Sequence, residues 1–305
     1  MEDHKALRQI KERYQAAREQ KNKWEALWDD CYNYTIPQRS SAESLSPISK
    51  GTGRSYGAHI YDATAMDATD QLASSLLANL TPPWSAWFGF KPGPDISDEQ
   101  ADKIAPQLDR IAKVMQDQLD RSNFNVELHQ SFLDLVIGGT ASLMVEEAAP
   151  GEFSALKFTA LPLQQFAVEE GPTGLIDSTY RQFEMSFEQI MQRFPQAEIP
   201  PALTARGQKD PKLTFKVLEA LIPVKSHYMY EVILLDEDVF IHRQKLPHSP
   251  FINFRWMKSP GEIYGRSPVM KALPDIKTAN KVVELVLKNA SIAVTGIWQA
   301  DDDGV

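Results

Sequence analysis

Residues 125–147 read NVELHQSFLDLVIGGTASLMVEE, and the fold class turns on them. Over 125–137 the apolar positions recur at the helical period of about 3.6 residues. From Ser142 the period is 2, that of a strand. Gly138-Gly139 stands at the change as a helix stop, because glycine enters the left-handed backbone region without a Cβ penalty. Helices gathered upstream and short strands downstream predict an α+β fold with antiparallel sheet, not βαβ repeats.

Upstream, residues 4 to 33 form a long amphipathic helix. Leu7, Ile10, Tyr14, Ala17, Trp24, Leu27 and Cys31 recur at steps of three and four, with Lys21 interrupting the stripe. Pro37 stops it, and 38–57 read as a loop. A helix over 61–80 carries the stripe Tyr61, Ala65, Ala68, Leu72, Leu76 and Leu80, and ends at Thr81-Pro82-Pro83. Another starts at Ser97, where Ser97 and Gln100 have capping-box spacing; its stripe is Ile104, Leu108, Ile111, Met115 and Leu119. These two stripes are expected to build the core, with Leu76 and Leu108 buried.

Downstream, strands are predicted at 142–147, 153–161, 165–169, 175–184, 213–222, 228–235, 238–243 and 250–256, with a hairpin turn at Asp236-Glu237. A short helix covers 186–193. Residues 195–211, with Pro195, Pro200, Pro201, Gly207 and Pro211, read as a linker. Pro268 and Pro274 each suit a first helical turn, which predicts a short turn and then a helix from Pro274 to Ala290. At 100° per residue from Lys277, Lys281 falls at about 40°, Lys288 at about 20° and Glu284 at about −20°. Ala279, Val282, Val283, Val286, Leu287 and Ala290 fill the opposite arc.

Composition narrows the function. The chain has 305 residues, room for about two domains. Its net charge of −9 argues against tight non-specific phosphate binding. The lone Cys31 excludes an intrachain disulfide and a cysteine-rich zinc site. The uncharged stretch between Asp70 and Lys91 is broken by Pro82 and Pro83, so no membrane span and no membrane partner is expected. No HExxH, GxSxG or kinase pattern is present, and Gly51, Gly53 and Gly57 lack the context of a phosphate loop. Asp301, Asp302 and Asp303 lack calcium-loop spacing and read as a solvated turn. The aromatic segment Trp84, Trp87, Phe88 and Phe90 reads as packing of a helix connection. No catalytic, cofactor or metal residues are assigned.

Four stretches together resemble one family: IYDAT (60–64) running on to LLANLTPPWSAWFGF; LHQSFLDLVIGGTASLMVEE; LPLQQFAVEEGPTGLIDSTYRQFEMSFEQIMQRF; and FRWMKSPGEIYGRSPVMKALPDIKTAN. They are similar to the head-to-tail connector, or portal, proteins of short-tailed tailed bacteriophages. The resemblance implies a homo-oligomeric ring, with twelve subunits the usual number, at the portal vertex of a virion, assembled in the host cytoplasm. Double-stranded DNA would pass through it, held weakly and non-specifically. Terminase, a tail adaptor, capsid and scaffolding proteins would be the partners, with no cofactor. It implies a wing domain over 1–265, a stem helix over 266–295 and the start of a clip over 296–305, the remaining clip and crown being absent, so that the chain reads as truncated.

Within that frame, Lys277, Lys281, Glu284 and Lys288 are candidate channel-facing residues. Gly261, Gly265, Arg266, Ser267 and Pro268 are a candidate elbow that aims the stem: the glycines for backbone freedom, Ser267 as cap, Pro268 as first helical residue, and Arg266 either solvated or paired with a neighbouring subunit's acid. A change at Gly265 is expected to disturb assembly more than folding. Two alternatives stand beside this reading. One is a metal-dependent nucleic-acid enzyme using Asp62, Asp67 and Asp70 on one helix; the other is a small helical adaptor or scaffolding module.

Overall fold

The computed structural model describes residues 2–37, 59–197, 199–210 and 212–295. The loop 38–57 with its glycines, the region 296–305 and its acidic run lie outside them. In chain order the elements are α1 (Glu2–Thr35), α2 (Thr64–Leu80), α3 (Asp98–Arg121), α4 (Phe124–Gly138), β1 (Thr140–Glu147), β2 (Leu156–Leu161), β3 (Phe166–Glu170), β4 (Ile176–Ser186), α5 (Phe187–Arg193), α6 (Pro201–Lys209), β5 (Thr214–Val224), β6 (His227–Leu234), β7 (Val239–Leu246), β8 (Phe251–Arg255) and α7 (Pro268–Thr295). Every strand pair is antiparallel. The fold is α+β, as the change of period at Gly138-Gly139 requires, and Gly139 ends α4 at φ +77°.

The strands form two sheets, β2-β1-β8 and β3-β4-β5-β6-β7. The larger sheet is a meander inserted between β2 and β8. Its two faces bury separate cores. One packs under the first half of α1, where Leu7, Ile10 and Ala17 meet Tyr180, Leu218, Ala220 and Ile233. The other gathers Val217, Leu221, Val232 and Leu234 with Trp28 and Tyr32 of α1, Ile137 of α4, Ile190 of α5 and Leu203 of α6. A third cluster sets Phe124, Leu128 and Phe132 of α4 against Ala73 of α2 and Leu143 of the small sheet. Between the sheets, the fully buried carboxylate of Glu219 on β5 binds Arg193 of α5 at 2.9 Å and Arg181 of β4 at 3.4 Å, and Arg193 reaches on to Glu146 of β1 at 3.0 Å.

Several expectations are corrected. The stripes of α2 and α3 do not build the core. Only Thr69 and Ala73 of α2 are buried and no residue of α3 is; Leu76 and Leu108 are half-buried. The core belongs to α1, α4 and the sheets, which cover one another first. Ser97 precedes α3 but makes no capping hydrogen bond, whereas Ser186 and Gln189 close a reciprocal capping box at α5. Residues 195–211 are not a plain linker: Pro201 opens α6, where its missing N–H costs nothing. Gly207 there is crossed by the Phe187 ring, which a Cβ would meet at 2.2 Å. Helix α7 runs through Pro274 in one piece, held before it by the buried Val269 and Leu273 and after it by Ile276, half-buried against the same core.

Candidate assembly interface

The loop from Trp256 to Ser267 turns the chain from β8 into α7. Gly261 adopts φ +81°, the left-handed conformation expected of it. Gly265 has a different reason to be glycine. It crosses Gly139 backbone to backbone: a Cβ on Gly265 would stand 2.2 Å from the Gly139 oxygen, and one on Gly139 would stand 2.2 Å from the Gly265 oxygen. The helix stop at 139 and the elbow at 265 are therefore one feature. Around the crossing, the Gly265 N–H donates to Thr140 Oγ1 at 2.8 Å, and the Trp256 N–H donates to the Gly139 carbonyl at 2.9 Å.

Ser267 caps α7 as expected, accepting from the Met270 N–H at 2.9 Å. The same hydroxyl donates to the Ile137 carbonyl at 2.7 Å, so one oxygen joins the end of α4 to the start of α7. Pro268 is the first residue of α7. Tyr264 is fully buried against Trp28, with ring centroids 5.0 Å apart. Arg266 finds its acid within the chain: it bonds Glu262 at 2.9 and 2.5 Å and lies 4.7 Å over the Trp24 ring. That pairing holds the Glu262 carboxyl below its ordinary range.

Helix α7 divides at Asn280. Before it, Val269 and Leu273 are buried against the body. Asn280 itself is buried, donating to the His59 carbonyl at 2.9 Å and accepting from the N–H groups of Tyr61 at 2.6 Å and Asp62 at 3.2 Å. Beyond it nothing is buried. Val282, Leu285, Val286, Leu287 and Ile292 are each more than half exposed, and Val294 is 88% exposed.

The four charged residues expected to face a channel separate. Lys277 bonds Asp30 of α1 at 2.7 Å, which raises its pKa. Lys281 and Lys288 both bond Glu284, at 2.9 and 2.5 Å, and these bonds hold the Glu284 carboxyl below its usual value. The face thus carries three lysines against two carboxylates. Asp30 and Asn280 were not picked out by sequence reasoning, since partners some 220 to 250 positions away leave no local signal.

Of the three aspartates considered for metal, Asp62 precedes α2 instead of lying on it. Its carboxylate accepts from the Thr64 N–H and hydroxyl at 3.0 and 2.6 Å, which lowers its pKa. Among the described residues, no group of three or more His, Cys, Asp or Glu could hold a metal ion, and no helix is long and apolar enough to cross a membrane. Trp87 stacks on Phe124 at 6.1 Å, so the aromatic segment does pack a helix connection, although Trp84 is exposed.

Over residues 7–305 the chain matches the family described as bacteriophage head to tail connecting protein. It is 24% identical to a probable portal protein of Bordetella phage BPP-1, over 87% of this chain and 49% of that one. It is 23% identical to the portal protein of Salmonella phage epsilon15, over 85% and 48%, and 21% identical to that of Escherichia phage T7, over 96% and 54%. The chain spans about half the length of these curated relatives.

Proposed function

The chain belongs to the bacteriophage head to tail connecting protein family, and from that premise we propose that it is a subunit of a portal ring: a structural conduit for DNA packaging and ejection, not an enzyme. The observation that carries this is the surface of α7 beyond Asn280. At 100° per residue, the apolar positions from Ile292 round to Leu287 span an arc of roughly 220°. A helix lying on a single neighbour needs about 100° of apolar surface; one apolar over most of its girth is covered on two sides. A ring supplies two neighbours to every copy. The remaining polar strip, with Lys281, Glu284 and Lys288, would face the channel.

In this reading the body up to the elbow is the wing and α7 the stem, at the portal vertex of a virion. Lys277, tied to Asp30, serves docking of the helix more than the channel. The internally paired strip of Lys281, Glu284 and Lys288 offers duplex DNA little net attraction, which suits a conduit through which DNA must slide. Twelve copies, terminase, a tail adaptor, capsid and scaffolding proteins complete the proposal. Electron microscopy and light scattering of the purified chain test it. Annular particles that revert to single subunits when Val286 and Leu287 are both changed to Glu are expected. A small adaptor-like oligomer that is indifferent to that change would overturn the reading.

A further inference from the structure

We infer that Asn280 is the positioning residue that sets the direction in which the free half of α7 leaves the body. Its amide reads three backbone groups of one short segment: it donates to the His59 carbonyl and accepts from the N–H groups of Tyr61 and Asp62. That segment runs into the start of α2, where Thr64 holds Asp62, and the His59 ring packs edge-on against Tyr34 of α1 at 5.7 Å. The amide presents a donor and an acceptor from one flat group; a carboxylate lacks the donor and an aliphatic side chain lacks both. Asn280 is also the last buried residue of α7. Apart from the surface ion pair between Lys277 and Asp30, the other anchors, Ser267, Val269, Leu273 and Ile276, are apolar contacts or lie near the helix start.

The leverage is large. From Asn280 to Thr295 the helix extends about 22 Å, so a tilt of about 10° at the clasp displaces the tip by about 4 Å. Packed helices sit about 8–10 Å apart, so such a displacement is enough to spoil registry with any neighbour. The clasp goes beyond the ring reading and does not depend on it: it concerns the direction of the helix within one chain.

The test is a distance distribution by pulsed electron spin resonance, in the full chain diluted with unlabelled chain. Nitroxides are placed at Glu188→Cys on α5 and Asn289→Cys on the free half of α7; Cys31 is buried and stays unlabelled. In Asn280→Leu the distribution is expected to broaden at least twofold. In Asn280→Asp, which keeps the acceptors and loses the donor, it broadens less. Lys277→Met, which removes the ion pair to Asp30 but spares the clasp, leaves it near that of the parent. The melting temperature separates loss of stability from loss of direction. A distribution unchanged in Asn280→Leu overturns the inference; if that variant does not fold, an unchanged Asn280→Asp does so. Absence of rings in the parent would count against the proposed function and leave this measurement intact.

Discussion

Helix α4 and the free half of α7 are both apolar and nearly equal in length, yet they meet opposite fates. In α4 every residue from Ser131 to Gly138 is buried, and even Asp134 is held inside by the Tyr32 hydroxyl at 2.9 Å. Beyond Asn280 no residue of α7 is buried. The difference does not lie in apolar content. Helix α4 has α1 on one side, α2 on another and both ends of the small sheet beneath it; α7 has left the body before its apolar arc begins. An apolar helix states that a cover exists, but not that the cover belongs to the same chain.

The crossing that seats α4 against the elbow is where this contrast breaks most easily. Gly265→Val forces a side chain into the Gly139 carbonyl and is expected to cost more than about 4 kcal/mol, enough to abolish a cooperative thermal melt. This replaces the expectation that Gly265 matters more for assembly than for folding. Ile137→Ala, at a fully buried site of α4, is expected to cost about 3 kcal/mol by denaturant melt; a loss under 1 kcal/mol would show that α4 is loosely covered.

Lys21 sharpens the comparison as a polar residue covered by its own chain. Only 6% exposed, it donates to the Gln164 carbonyl, and burial holds its pKa down to about 8 against an ordinary 10.5. Between about pH 8 and 10.5 the unfolded chain keeps a proton that the folded chain has lost, so this residue makes stability rise with pH across that window. Below pH 8 both states are charged and the full penalty remains, about 3 kcal/mol. Lys21→Met is therefore expected to stabilise the chain at pH 7 by about 2 kcal/mol after loss of the carbonyl bond, and to flatten the rise. Melts at pH 7 and pH 10 check both. The smallest effect belongs to the free half of α7: Leu285→Ala should leave the melt of an isolated subunit within about 0.5 kcal/mol, while weakening assembly measured by light scattering.

How much of this was legible depended on whether the signal was local. The period change at Gly138-Gly139 located the class of fold, and all eight strands fall within three residues of their predicted limits at both ends. The same Ser-x-x-Gln spacing occurs at Ser97 and Ser186, yet only the second forms a capping box. There Phe187 and Ile190 are buried and hold the first turn in place; α3 has no such anchor. Prolines misled at 195–211, because a proline that ends one segment can open the next. At the candidate interface, the Ser267 cap and the Gly261 turn were readable from neighbouring residues. The mutual approach of Gly139 and Gly265, the Asp30 partner of Lys277 and the clasp at Asn280 were not, since each joins positions more than a hundred residues apart.

The single hydroxyl of Ser267 also orders events in time. It bonds Ile137, 130 positions earlier, beside a strand pairing of Thr140 with Arg255 that closes a loop containing the whole five-stranded meander. The meander is made of neighbouring hairpins and forms quickly from local pairings; the closure at 140 and 267 must wait for it. During synthesis the pairing of β1 with β8 therefore stays open until β8 has left the ribosome, and the apolar half of α7 follows onto a body ready to close. Pulse-labelled hydrogen exchange during refolding should find β5 and β6 protected before β1 and β8.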